Sequence, residues 1–262
     1  MDREEQLLIA QVEDKISQCQ SWSSVTATSF LDMHEQSVVR SHFGKSKLGC
    51  RLKFYGGYAD AERAVCFCLP DYVGEDDEEE YYADSISVVR VSHSKRASAG
   101  SSGRALRHGD YLGSVLGLGI KRETVGDILV RDDGADIIVL KEIVPFLLSE
   151  YSSVGRSIVS TEEAALSDLI VPEREYEVFS DTVASLRLDN VISSAFRVSR
   201  SGAQDAIRQG LVFVNGIESY KADAGVNEGD VLVLRHKGRV ILDEVGGTSR
   251  KGRTYLKFRV SK

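Results

Sequence analysis

The sequence predicts an α+β protein in three parts, and three observations carry that reading. Between Ile86 and Ser160 the elements run in the order β-α-β-β-α-β. From Arg187 to Asp230 two short helices precede a small β-unit. Charge is divided unevenly: residues 181–262 hold 14 Lys and Arg against 9 Asp and Glu, while residues 1–180 hold 19 against 31. At 262 residues the chain is long for one compact core. The expected organisation is a small amino-terminal α/β domain at 1–74, an acidic linker at 75–84, a middle domain at 85–165, a linker at 166–180 and a carboxyl-terminal module at 181–262.

In the first part, Leu8, Ile9, Val12, Ile16 and Cys19 recur at helical spacing, which predicts a helix over Arg3–Cys19. Asp32 and Glu35 form the D-x-x-E start of a second helix, reaching about Phe43. Cys50–Tyr55 and Val65–Leu69 read as strands. Between them, Gly56–Arg63 is a short helix or a functional loop. The six consecutive acids Glu75–Glu80 repel one another, and this predicts a solvated linker.

The middle part offers Ile86–Val91 as a strand, a Gly/Ser-rich loop at Ser98–Gly103, and a helix at Arg107–Leu118. Val125–Val130 and Ala135–Leu140 follow as strands joined across Asp132-Asp133-Gly134, then a helix at Lys141–Tyr151 and a strand near Ser157–Ser160. This order is the ferredoxin-like arrangement that many RNA-recognition domains share. Such domains stack bases on exposed aromatics of their central strands. Ala135–Leu140 has no aromatic, so that mode is not expected here.

In the last part, Leu188, Val191, Ile192 and Ala195 share one helical face, and an Arg-Val-Ser-Arg joint follows. Ser201 is the expected N-cap of the second helix, which Gly210 ends. Arg200, Gln204 and Arg208 are spaced four apart and form a polar stripe. Asn215-Gly216 predicts a tight hairpin turn. The residues Arg187-Leu188-Asp189, Ser199-Arg200-Ser201, Ala203, Gly210, Val212, Val214-Asn215-Gly216 and Gly229-Asp230 fall in order and at the usual spacing of a known unit. The stretch resembles the RNA-binding module named after ribosomal protein S-four.

The expected RNA contacts are Arg187, Arg197, Arg200 and Arg208, with Ser201 and Gln204 as neutral hydrogen-bond partners and Lys237 and Arg239 in a basic turn. Arginine's planar fork suits phosphates and stacks on bases. Asp189 is expected to pair with a neighbouring Arg or to cap its helix, and Lys251, Arg253, Lys257 and Arg259 to face solvent on or near a closing strand at Tyr255–Val260.

A second motif lies in the middle part: Leu106-x-His108-x-Asp110-Tyr111-Leu112-Gly113, then Leu118-Gly119-Ile120-x-Arg122 and Gly126-Asp127-Ile128. A phosphate-binding loop would need G-x-x-x-x-G-K-[ST] between strand and helix, which is not the order here. The plain reading is a capped helix whose small residues sit at a tight helix–sheet contact. His108, Lys121 and Arg122 are this domain's candidates for RNA contact. With Phe54–Arg63 (FYGGYADAER) before it and the S-four-type module after it, the pattern resembles the YlmH family over nearly the whole chain. That resemblance implies a cytoplasmic, non-enzymatic factor that binds rRNA of the large ribosomal subunit and acts with peptidyl-tRNA on stalled, split ribosomes. Related branches carry photosystem II and cell-division labels.

Other classes have less support. The composition, 42% apolar and 28% charged, is that of a globular protein. No apolar run approaches the roughly 20 residues that span a bilayer. The acidic amphipathic start is unlike a secretory signal or transit peptide. Cys19, Cys50, Cys66 and Cys68 are expected to be buried reduced thiols, with no metal site and no cofactor. An RNA-modifying enzyme is one rival: pseudouridine synthases and some RNA methyltransferases carry the same module, but their catalytic domain usually follows it. A methyltransferase would also need a glycine-rich turn after a strand, which is not found, and the five histidines form no hydrolase signature. No catalytic residue is expected. A protein-interaction scaffold is the other rival, and the chain is expected to be monomeric.

Overall fold

The computed structural model describes residues 3–44, 46, 48–93, 105–172 and 176–261. The loop expected at Ser98–Gly103 lies outside them. The chain divides into two compact units, Met1–Pro172 and Glu173–Lys262.

The first unit opens with α1 (Arg3–Trp22), β1 (Thr26–Leu31), α2 (Met33–Phe43), β2 (Arg51–Tyr55) and β3 (Ala64–Leu69). The capping box starts α2 as expected: the Glu35 amide donates to Asp32 Oδ1 at 2.9 Å and the Asp32 amide to Glu35 Oε2 at 2.7 Å. β1 was not foreseen. Together the strands form an antiparallel sheet in the order β1-β3-β2. The periodic face of α1 and the Val38, Val39 and Phe43 side chains of α2 pack with all four cysteines in one core. Burial pushes those thiols up, to about 11 for Cys19 and Cys50 and about 12 for Cys66 and Cys68. They remain protonated and poorly nucleophilic at neutral pH.

The acidic run is a correction. Glu75–Asp77 form a 3-10 turn and Glu78–Ser85 a helix, α3. Glu78 is buried, accepting hydrogen bonds from Arg51 at 3.1 Å and the Tyr82 hydroxyl at 2.7 Å, with Lys53 at 3.7 Å. Two cations from β2 offset its charge, and acids in a first turn are favoured by the helix dipole. The stretch therefore folds into the unit instead of extending as a linker.

The second sheet follows from β4 (Ile86–His93), α4 (His108–Gly117), β5 (Val125–Arg131), β6 (Gly134–Leu140), α5 (Val144–Glu150), β7 (Ser153–Val154) and β8 (Ser157–Ala164). Its order, β5-β6-β4-β8-β7, is the ferredoxin-like one with a small added hairpin. β6 is buried along both faces. Ala135, Ile137 and Val139 pack with Tyr111 and Val115 of α4 and Val144 and Leu147 of α5. Ile138 packs the opposite way, with Phe30 of β1 and Val65 and Phe67 of β3. The sheet face that a base-stacking domain would leave open is covered by the first sheet.

The second unit contains β9 (Tyr176–Val183), α6 (Leu188–Ala195), α7 (Arg200–Arg208), β10 (Val212–Val214), β11 (Ile217–Glu218), β12 (Val231–Leu234), β13 (Gly238–Thr248) and β14 (Thr254–Ser261). They make one antiparallel sheet, β11-β10-β12-β13-β14-β9. β9 begins inside the stretch expected to be a linker. It is held by eight register pairs to β14, from Thr254↔Val183 to Ser261↔Tyr176. Leu188, Val191 and Ile192 of α6 and Ala203 and Ile207 of α7 share a core with Leu232, Leu242, Leu256 and Phe258. The β10–β11 turn takes positive φ at Asn215 (52°) and Gly216 (81°), as its dipeptide predicts. The Asn215 side chain also donates to Asp230 Oδ1 at 2.8 Å and accepts from the Val231 amide at 2.9 Å.

Candidate nucleic-acid interface

The expected polar stripe on α7 is organised by a carboxylate beneath it. Asp189, on the first turn of α6, has no exposed surface. Arg187 donates to it through Nε at 3.2 Å and Nη2 at 3.3 Å, and Arg200 through Nε and Nη2 at 3.2 Å each. Gln204 Nε2 adds a 2.8 Å bond. Burial alone would push the Asp189 carboxyl up, but the bonds from Arg187, Gln204 and Arg200 outweigh it and hold the group at about 2. The two arginine side chains nevertheless stay 44% and 56% exposed. Each fork is held through Nε and Nη2 on a side chain that stays about half exposed, within reach of a phosphate. The pairing expected of Asp189 is thus extended to two arginines and a glutamine.

Ser199, not Ser201, caps α7: its hydroxyl accepts from the Gly202 amide at 3.0 Å. The helix starts one residue before Ser201, so the Ser201 side chain is exposed and lies 3.1 Å from the Ser199 hydroxyl. Arg208, 72% exposed, pairs with Asp205 on its own helix. Arg197, Lys237 and Arg239 are brought together elsewhere in this unit, lining a cleft of about 210 Å³. The eight predicted residues of the module thus divide into an Asp189-centred group with its α7 neighbours and a cleft group. Sequence reasoning missed Phe179 and Glu177, which also line the cleft, because their strand was read as linker. The β-favouring residues Tyr176, Val178, Phe179, Thr182 and Val183 were the available signal. Lys257 and Arg259 pair with Asp243 at 3.4 and 2.7 Å.

The middle-domain motif resolves into structural roles. Asp110 accepts the Arg107 amide at 2.8 Å at the start of α4, leaving His108 exposed at the first helical position. Tyr111 is fully buried and bonds to His93 Nε2 at 2.8 Å. Gly109, Gly113 and Gly117 are not at a tight helix–sheet contact: a Cβ at each would meet nothing within 4 Å. Lys121 is exposed and lies 3.7 Å from Glu123. Arg122 turns inward, donating to the carbonyls of Val125 and Gly126. Burial and the nearby Arg63 cation lower its pKa from the usual arginine value.

Gly56–Arg63 is a docking loop, not a helix. Asp127 accepts from the Tyr58 hydroxyl at 2.8 Å and from the amides of Glu62 and Arg63 at 2.7 and 3.1 Å. Arg63 donates onward to the Val125 and Phe30 carbonyls at 3.1 and 2.9 Å. A Cβ on Gly126 would sit 2.7 Å from the Phe30 ring. The Gly126-Asp127 pair therefore locks the first sheet's loop to β5. Among the described residues, no group of three or more His, Cys, Asp or Glu can hold a metal ion, and no helix is long and apolar enough to cross a membrane.

Residues 99–168 match a family described as "Putative RNA-binding domain in YlmH", and residues 186–232 match the S4 domain. Fold and matched domains together define a multi-domain α+β protein of the RNA-binding class. A curated relative, the ribosome-associated protein quality control protein P2 of Bacillus subtilis (strain 168), is 32% identical over 231 residues, 88% of this chain and 85% of the relative. The chain belongs to the YlmH family. The solved structure of cell division protein ylmH from Streptococcus pneumoniae aligns with a TM-score of 0.49 at 21% identity, covering 65% of this chain and 96% of that one.

Proposed function

We propose that this chain is a non-enzymatic, monomeric RNA-binding factor of the cytoplasm. It acts on the large ribosomal subunit in quality control of stalled nascent chains, contacting rRNA and tRNA. The observation that carries this reading is the Asp189 cluster, which fixes the Arg187 and Arg200 forks while leaving both side chains about half exposed. Preset forks lose less conformational freedom on meeting a phosphate than free side chains do. Arg208, Ser201 and Gln204 extend this face along α7, and Arg197, Lys237 and Arg239 add a second basic group. The similarity to the ribosome-associated relative of Bacillus subtilis supports the ribosomal part. In the middle domain, His108 and Lys121 are the exposed candidates for RNA contact, while Arg122 acts as a brace.

The test is binding of the intact protein and an Arg200→Ala/Arg208→Ala variant to ribosomal RNA at several salt concentrations. Counterion release gives a log–log slope of roughly −0.9 per phosphate neutralised, so the variant's slope should flatten by about 2. Equal affinities and slopes would sink the reading. Crosslinking in cells should recover large-subunit rRNA and tRNA, and recovery of protein partners alone would favour a scaffold.

A further inference from the structure

We propose that the cleft lined by Phe179, Arg197, Lys237 and Arg239 receives one unpaired nucleotide of RNA, the base stacking on the Arg197 guanidinium and the flanking phosphates meeting Lys237 and Arg239. This rests on the RNA-binding reading above and adds a site to it. The cleft, about 210 Å³, lies in the second unit where β9, β13 and β14 meet the joint between α6 and α7. Most of its walls fall outside residues 186–232: Phe179 comes from β9, Val260 from β14, Lys237 from the turn before β13 and Arg239 from the start of β13 itself. The flanking strands therefore build a feature that the S4 match does not contain.

The cleft has an aromatic back and a cationic rim. Phe179 stacks on Phe258, with centroids 5.1 Å apart and planes 30° apart, which seats the ring firmly on the core. Arg197 takes a left-handed backbone, φ 51°, at the helix joint, and its Cζ lies 5.3 Å from the Phe179 centroid. A guanidinium backed by a fixed ring offers a flat, charged surface to which a base can stack. Lys237 stands exposed on a tight turn, where its amide donates to the Leu234 carbonyl at 2.9 Å. Against these cations Glu177 is the one acid among the described lining residues, which therefore carry a positive surplus.

The shape separates the possible occupants. A duplex presents its phosphates on the outside and keeps its bases stacked, so it can touch the rim without entering the cleft. An unpaired nucleotide in a loop or bulge can swing its base inward while its phosphates stay at the rim, which is how single-stranded segments are generally recognised.

The experiment uses the full-length protein with two RNAs of equal length, a hairpin with an unpaired loop and a fully paired duplex. Arg197→Ala should weaken hairpin binding about tenfold, the scale of one lost base stack, and leave duplex binding within about twofold. Arg197→Lys, which keeps the charge but not the plane, should lose nearly as much as Arg197→Ala. Lys237→Glu, at an exposed turn that leaves the core undisturbed, should weaken both RNAs because its rim contact is to phosphate, and no loss on the hairpin would overturn that contact. An equal loss on both RNAs from Arg197→Ala would overturn the proposal in favour of phosphate contact alone, and no loss on either would also overturn it. If the cleft variants change nothing while Arg200→Ala/Arg208→Ala weakens both RNAs, the cleft proposal falls and the Asp189 face stands. Wild-type protein that binds neither RNA would overturn both.

Discussion

Arg200 donates through both Nε and Nη2 to Oδ2 of Asp189, at 3.2 Å each, although the arginine is more than half exposed and the aspartate is wholly buried. A charge without water must be compensated by hydrogen-bonded partners, and here they come from the surface. The core of α6 thereby dictates where a cation of α7 stands.

Asp189→Asn should loosen that arrangement. The variant keeps the side chain's size but removes the charge that Arg187, Arg200 and Gln204 converge on. We expect a loss of about 2 kcal/mol in unfolding free energy by urea titration, below the usual cost of breaking a buried pair because both arginines retain access to water. RNA affinity should fall with it. In a double-mutant cycle with Arg200→Ala the two losses should sum to more than the double variant shows.

The same group sets an acid response. Its folded pKa, about 2, lies below the ordinary 3.8, so its contribution is fully present above about pH 4 and disappears as pH falls toward 2. Wild type should lose about 2 kcal/mol relative to Asp189→Asn across that window. Parallel stability curves for the two proteins would contradict the assignment.

Ile138 tests whether the middle sheet's outer face is closed. It is fully buried against Phe30, Val65 and Phe67. Ile138→Ala should cost about 2–5 kcal/mol by chemical denaturation, as large-to-small changes in a packed core do. An open, RNA-facing surface would tolerate the change with little loss of stability.

Gly126→Ala would bring a methyl to 2.7 Å from the Phe30 ring, which is itself packed in the core. Overpacking of this kind costs about 1–3 kcal/mol. Adding Phe30→Leu should recover part of that loss. Thermal unfolding of the single and double variants measures both effects, and a double variant no better than the sum of its singles would place the strain elsewhere.

Much of the fold was legible because it depends on neighbours in sequence. The Asp32–Glu35 box, the Asn215-Gly216 turn and the periodic face of α1 are each set within a few residues. The ferredoxin-like order of the middle domain could be read because alternating and helical patterns succeed one another cleanly. Local rules erred where a distant partner intervened. Glu75–Glu80 reads as a repelling run until Arg51 and Lys53 approach Glu78. The α4 glycines read as packing residues, yet open space surrounds them, while Gly126 proved to be the tight one.

By itself, the sequence determined the α+β class, the two-helix module with its basic residues, and the motifs by which the chain falls within the YlmH family. Local hydrogen bonding and periodicity are sufficient for the elements, and spacing along the chain is enough for the motifs. Only the tertiary structure decided that the middle sheet is covered on both faces, that Arg122 faces inward, and that Arg187, Arg200 and Gln204 converge on one buried carboxylate. It alone joined Phe179 to Arg197, Lys237 and Arg239 by pairing β9 with β14. Those outcomes depend on burial and on strand register between segments far apart in sequence, where the favourable terms come from contacts that no local pattern encodes.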